Sequence, residues 1–317
     1  MSIDRASPDT GNGAGEAPVA ILLSTFDGER YLNEQLASIA AQSHTNWRLY
    51  WRDDGSSDGT ATLMAAFATG PGAGRFQALP SGARLRATGS FLALLRSAVQ
   101  GPAGYFAFAD QDDVWLPDKL AHGVAALQNL PPDRPALYFC GRALVGADLT
   151  PAGEVRAPRR APGFPAALTQ NLAPGCCMML NRRAAETICS APVPEGTWHD
   201  WWSYIVVSAT GGTVIASGLP DILYRQHSLN LVGEPRGFRH RFAAAVRRGR
   251  GPFMTLFWRH IEALPALPLS SNASTWLNII GRGKDSRLAR LNALSQPGFR
   301  RQTWAETALF RLWFLLG

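Results

Sequence analysis

The sequence predicts an α/β protein with a mainly parallel sheet, helices on both faces and a basic helical tail. Three observations predict it. Short apolar runs at residues 19–24, 47–51 and 105–109 each end in a polar turn that hands on to a helical pattern. The order they imply, β-α-β-α-β-α-β, needs crossovers and hence parallel pairing. The charge is split along the chain: residues 1–234 hold 17 Lys+Arg against 21 Asp+Glu, and residues 235–317 hold 14 against 3.

Residues 1–17 are rich in Ser, Asp, Gly, Asn and Pro and read as a disordered leader. The continuous apolar run at 19–24 is a buried strand. After the loop Thr25-Phe26-Asp27-Gly28, residues 29–42 carry Leu32, Leu36 and Ile39 at helical spacing. A second strand at 47–51 enters Asp53-Asp54-Gly55-Ser56-Ser57-Asp58-Gly59-Thr60, and a helix follows over 61–67. Residues 76–79 form a third strand and 90–99 a helix. The strand at 105–109 breaks into Asp110-Gln111-Asp112-Asp113, with Pro117 opening the next helix where its missing N–H costs nothing.

Further on, 136–140 is a strand and 145–165 a mobile loop full of Pro, Gly and Arg. A glycine turn at Gly175 precedes a buried strand at 176–180. Trp198-His199-Asp200-Trp201-Trp202 opens a helix, and strands at 213–216 and 222–225 lead to Gln226-His227. Beyond Gly233, Phe238, Phe242 and Val246 recur among arginines as a basic amphipathic helix. An apolar-basic helix closes the chain at 304–316.

Packed carboxylates repel one another and lose hydration, so Asp110, Asp112 and Asp113 at a strand end call for a cation. A hard one suits them, Mg²⁺ or Mn²⁺, shared with a substrate's phosphates. The plainer reading is a solvated turn with Asp113 capping a helix. No run reaches the ~18 apolar residues of a membrane span, and no secretory signal opens the chain. The four cysteines, Cys140, Cys176, Cys177 and Cys189, match no zinc spacing and read as reduced thiols.

Ser24-Thr25-Phe26-Asp27-Gly28-Glu29-Arg30-Tyr31-Leu32, Arg52-Asp53-Asp54-Gly55-Ser56-Ser57-Asp58-Gly59-Thr60 and Asp110-Gln111-Asp112-Asp113-Val114-Trp115 together resemble the family 2 glycosyltransferases of GT-A fold. The resemblance runs over residues 17–233. His199-Asp200-Trp201-Trp202 and Tyr224-Arg225-Gln226-His227 look like its rhamnosyltransferase-like branch, which builds cell-surface polysaccharide. It implies a mixed, mainly parallel sheet, a glycosyltransferase domain at 18–233 and a C-terminal region at 234–317.

The resemblance also implies roles. Ser24, Thr25, Phe26 and Asp27 would hold the nucleotide, with Phe26 packing on the base and Asp54 accepting from a pyrimidine N3–H. Asp112 would ligate the metal, with Asp110 at the ribose or a metal-bound water and His227 at the metal or the diphosphate. Arg225 would pair with phosphate. Asp113, Gly175, Trp198, Trp201 and Trp202 would face the sugar or the acceptor, and Asp200 would be the catalytic base, unless it only caps its helix. Asp27 stands where many members carry Asn, and Arg84, Arg86 and Ser90 replace a more usual Asn-rich stretch.

The implied reaction is inverting transfer of a sugar from a nucleoside diphosphate, dTDP-rhamnose being one candidate, to a hydroxyl of a lipid-linked or polysaccharide acceptor. The basic tail, 235–317, fits an anionic membrane surface better than nucleic acid, which places the chain in the cytoplasm on the inner face of the membrane. Two rivals stand beside this: a nucleotidyltransferase, which wants a Gly/Arg/Lys-rich loop after the first strand, and a non-catalytic nucleotide- or nucleic-acid-binding protein.

Overall fold

The computed structural model describes residues 16–80, 82–227 and 249–317. Its first half alternates as the pattern requires: β1 (Val19–Thr25), α1 (Glu29–Ala40), β2 (Trp47–Asp53), α2 (Thr60–Thr69), β3 (Phe76–Ala78), α3 (Arg86–Ala98) and β4 (Tyr105–Ala109). β1 lies between β2 and β4, parallel to both, and Val19 to Leu23 are buried throughout. A strand covered on both faces has no solvent side, so its sequence runs apolar without alternation.

Then come β5 (Val114–Trp115), α4 (Lys119–Leu127), β6 (Ala136–Val145), β7 (Pro151–Val155), α5 (Ala166–Thr169), a 3₁₀ turn at Gly175–Cys177, β8 (Met178–Asn181), α6 (Arg182–Ser190), α7 (His199–Ala209) and β9 (Thr213–Arg225). The sheet order is β3-β2-β1-β4-β8-β6-β9-β5, with β7 paired to β6. β8 runs antiparallel to β4 and β6 between them, so the sheet is mixed. α3 packs on β1 and on α6 and α7, while α1 packs on α2 and β5.

Several expectations need correction. Glu16 and Ala17 are not part of a free leader: the Glu16 carboxylate accepts from the Thr45 and Asn46 amides, and the Ala17 carbonyl lies 2.8 Å from His44 Nε2. The stretch 145–165, read as a loop, contains β7, which pairs with β6 as a hairpin. The two strands expected at 213–216 and 222–225 are one strand, β9, whose register against β6 shifts twice. The amphipathic helix around Phe238, Phe242 and Val246 lies outside the described residues.

Four helices follow: α8 (Arg250–Ala263), α9 (Ser271–Gly281), α10 (Arg287–Ser295) and α11 (Trp304–Leu316). An aromatic cluster joins them to the sheet domain. Phe257 of α8 meets Phe299, Phe310 and Phe314, and Phe253 stacks on Trp201 of α7. His260 stacks on Trp202 and bonds Thr197 through Nε2 at 2.8 Å. These rings bury large areas, and paired aromatics add to that burial.

One side chain joins three elements at the end of β8. Asn181 caps α6 through Ala184 N at 2.9 Å, accepts from Ala136 N of β6 and donates to the Arg134 carbonyl. Asn181→Ala removes the cap and leaves the buried amides of Ala184 and Ala136 unpaired, so the urea midpoint should fall by an amount worth about 2–3 kcal/mol. A second expectation concerns pH. Burial pushes the His260 imidazole from 6.5 down to about 3. The unfolded chain therefore binds the extra proton, so this contribution is whole above pH 6.5 and lost as pH falls toward about 3. Denaturant melts between pH 7 and 4 should show a shallower acid-side loss in His260→Gln than in the wild type.

Candidate active site

Parallel strands deliver their carboxyl ends to one edge, and the loops there line a common crevice. Leu23 pairs with Ala109 and Thr25 with Asp53, so the turns after β1, β2 and β4 open side by side. β8 runs the other way, which brings the Gly175 turn at its start to the same edge. β9 ends in Arg225 and leads to His227, and α7 supplies Asp200 from its first turn.

The turns are laced together by side chains. Gln111 accepts from Phe26 N at 2.8 Å and donates back to Phe26 O at 3.0 Å. Thr25 donates to Asp53 at 2.9 Å, and Asp27 accepts from Ser57 N at 2.8 Å. Asp27 sits at φ 47°, a left-handed position that Asp and Asn tolerate better than most residues. Ser24 is half-buried beside them. Phe26 has its ring exposed on one side, and the Arg84 guanidinium lies 3.8 Å from the ring centroid.

Asp54 is buried, and its carboxylate accepts from Leu85 N and Arg86 N, both at 2.7 Å, and from Arg52. Burial alone raises its carboxyl, but the Arg52 bond and the two amides outweigh it and hold the group below the usual range. Asp54 thus fixes the 84–86 turn, where Arg86 sits at φ 57°. Arg52, which the sequence reading passed over, also bonds Ser90 and the Ala83 carbonyl.

The acids after β4 face one another. Burial, then the charges of Asp112 and Asp200, raise the Asp110 carboxyl to about 7. Asp113 is pushed up well beyond its usual range by burial and by Asp112 and Asp110. Its Oδ1 accepts from Arg225 N at 3.1 Å, and its buried Oδ2 has no partner among the described residues. Asp112 pairs with His227 Nε2 at 2.8 Å. Oxygens of Asp110 and Asp113 and the Cys176 thiol lie within 4.8 Å of one another. Facing carboxylates at a buried strand end, with one Asp113 oxygen unpartnered among the described residues, form a donor set that fits a divalent cation.

Asp200 completes the cluster. Its Oδ2 accepts from Gly175 N at 3.1 Å and its Oδ1 from Trp201 N at 2.6 Å. α7 begins at His199, one residue before Asp200, so Asp200 lies in its first turn, where a negative charge is favoured. His199 is buried against Phe91 and Phe108, and burial lowers its imidazole to about 4.

Three sequence expectations meet a different use. Arg225 is 1% exposed, and its guanidinium donates to the carbonyls of Asp112 and Ala147 and to Glu34. It braces the acid turn from inside rather than offering a fork to phosphate. Trp202 is wholly buried on His260, and Trp201 is buried with Nε1 donating to Ala167 O. Neither ring has a face free for a sugar. Trp198, 37% exposed, does. Cys176 beside the acids was not foreseen, because adjacency of two cysteines says nothing about what lies across the sheet.

The dTDP-rhamnosyl transferase RfbG of Shigella flexneri is 25% identical over 247 residues, covering 69% of this chain and 76% of that protein. The UDP-Glc:alpha-D-GlcNAc-diphosphoundecaprenol beta-1,3-glucosyltransferase WfgD of Escherichia coli is 28% identical over 102 residues, 32% of this chain and 38% of that protein. Among solved structures, S. aureus TarS 1-349 in complex with UDP superposes with a TM-score of 0.55 at 12% identity, covering 88% of this chain and 74% of that one. Its complex with UDP-GlcNAc gives 0.54 at 13%, with 88% and 75% covered. At those identities the likeness is one of fold, the mixed sheet of the GT-A glycosyltransferases. The family model described as glycosyl transferase family 2 matches residues 20–189, which takes in all three acid-bearing turns after β1, β2 and β4. With its strands, turns and acids in that order, the chain belongs to glycosyl transferase family 2.

Proposed function

We propose that the chain is an inverting glycosyltransferase that moves a sugar from a nucleoside-diphosphate donor to a hydroxyl of a lipid-linked or cell-surface polysaccharide acceptor. The observation that carries this is the gathering of Asp110, Asp112, Asp113 and Asp200 at one sheet edge, with an unpartnered carboxylate oxygen among them. For the donor, the family resemblance and the name of RfbG support dTDP-rhamnose. For the acceptor, the diphosphoundecaprenol in the name of WfgD supports a lipid-linked one. The basic composition of residues 235–317 supports a station on the inner face of the cytoplasmic membrane.

The roles follow from position. Phe26 and the loop at Ser24, Thr25 and Asp27 receive the nucleotide, beside the Arg84 guanidinium that lies over the Phe26 ring. Asp54 reaches a base only through the one acceptor site that its two amide partners and Arg52 leave open. Asp112 and His227, with Asp110 beside them, would hold Mg²⁺ or Mn²⁺, which when bound offsets the charge of the departing diphosphate.

Asp200 takes the proton from the acceptor hydroxyl as that oxygen forms its bond to the anomeric carbon. The bond from that carbon to the diphosphate oxygen breaks on the opposite face, so the centre inverts. The amides of Gly175 and Trp201 fix both carboxylate oxygens, which spares Asp200 a search for its orientation. Trp198 offers an aromatic face suited to the C–H surface of a sugar.

Initial rates with dTDP-rhamnose, a divalent cation and a lipid-linked acceptor test this. Asp200→Asn should lower kcat by roughly 10²–10⁴-fold with little change in donor KM. Asp112→Ala should abolish turnover and remove the stabilisation of melting by donor plus cation. Near-normal rates in either variant contradict the reading. Gly175→Ala is a subtler check. A methyl there would sit 2.5 Å from His199 Nε2 and displace the amide that holds Asp200. Its kcat should drop roughly 10–100-fold while donor binding by thermal shift stays unchanged.

A further inference from the structure

α11 has the sequence WAETALFRLWFLL, with one acid and one base in thirteen residues. Its inner face is accounted for: Phe310, Trp313 and Phe314 are buried in the aromatic cluster. At 100° per residue, Trp304, Ala308, Leu312 and Leu316 fall in a second stripe turned away from that cluster. Trp304 is 80% exposed, and Leu312 and Leu316 are more than half exposed. The neighbouring α10 adds Leu288, 79% exposed, and Leu291 one turn on. α10 and α11 are held together, with Arg290 Nη1 donating to the Leu315 carbonyl at 3.1 Å.

Single exposed apolar residues are ordinary. Here half of the exposed large hydrophobics among the described residues stand on two adjoining helices. A helix apolar on both faces is buried on both, and among the described residues α11 is covered on only one.

The same helix borders a groove of about 320 Å³ with a mainly apolar wall, lined by Trp304, Thr307, Ala308 and the side chains of Arg160, Arg300 and Arg311. No carboxylate lines it. Among the described residues neither Arg300 nor Arg311 is in an ion pair. Arg287 stands exposed on α10. The stripe places an exposed tryptophan beside the exposed guanidinium groups of Arg300 and Arg311. That chemistry matches an anionic bilayer surface, where rings sit at the headgroup level and arginines meet lipid phosphates.

We propose that the outer face of α10 and α11 docks on an anionic membrane, with Trp304, Leu312, Leu316, Leu288 and Leu291 entering the interface and the exposed Arg300 and Arg311 beside them meeting lipid phosphate. This names the surface for the membrane station proposed above. It does not involve Asp112 or Asp200, and vesicle binding is measured without substrate, so either reading fails independently of the other.

The test is co-sedimentation of the full chain with vesicles of phosphatidylcholine alone and of phosphatidylcholine mixed with phosphatidylglycerol. The wild type should bind the mixed vesicles and release them in high salt. The triple variant Trp304→Ser, Leu312→Ser, Leu316→Ser should partition about tenfold or more weakly. The pair Arg300→Glu, Arg311→Glu should lose the preference for phosphatidylglycerol. Melting temperature and turnover with a water-soluble acceptor should be unchanged in both, since all five side chains point away from the core. Undiminished binding in both variants would assign membrane contact to other basic residues and overturn the proposal. A wild type that ignores vesicles but dimerises through this face would overturn it too, assigning the face to a second copy.

Discussion

Four carboxylates confined to one sheet edge set the terms for everything around them. Two unit charges a few ångströms apart at a partly buried site repel by ~4 kcal/mol, and here desolvation adds to that. The fold meets part of the load from within. The buried Arg225 guanidinium holds the backbone of Asp112, its amide bonds Asp113, and His227 pairs with Asp112. The rest shows as carboxyls pushed toward neutrality and an oxygen with no partner. A scaffold that keeps such a cluster is arranged for a cation and a charged substrate rather than for its own stability.

The nucleotide side of the crevice is built on the opposite principle. There every carboxylate is matched: Asp53 by Thr25 and Ser56, Asp27 by Ser57, Asp54 by Arg52 and two amides. Such cross-links between turns make rigid loops, and rigid loops bind with little ordering cost. Unsaturated acids lie beside saturated ones, so the place where charge is still wanted coincides with the place where a diphosphate would leave.

The family motifs were legible because each sits where a strand ends, and strand ends are marked by a change from an apolar run to acids and glycines. Asp112 and Asp200 both bear on Asp110, in keeping with the roles that the resemblance implies, although nothing in the sequence states that β8 would cross between β4 and β6 in the reverse direction. That insertion brings Gly175 and Cys176 to the acids. It was hidden because a four-residue apolar run carries no direction. Arg225 misled for a related reason. An arginine next to a motif reads as a phosphate ligand, and only its burial shows that backbone carbonyls and Glu34 have taken its donors. Trp201 and Trp202 misled in the same way, since a ring suits a sugar and a core equally, and the helices that cover them lie more than fifty residues further along the chain.

Manganese titration followed by electron paramagnetic resonance puts the acid cluster itself to the question. In the presence of a nucleoside diphosphate the wild-type chain should bind a single Mn²⁺, and Asp112→Asn should leave that ion free in solution while the nucleoside diphosphate alone binds weakly. A chain that binds the nucleoside diphosphate equally well in chelator, or an Asp112→Asn variant that keeps its Mn²⁺, would contradict the account.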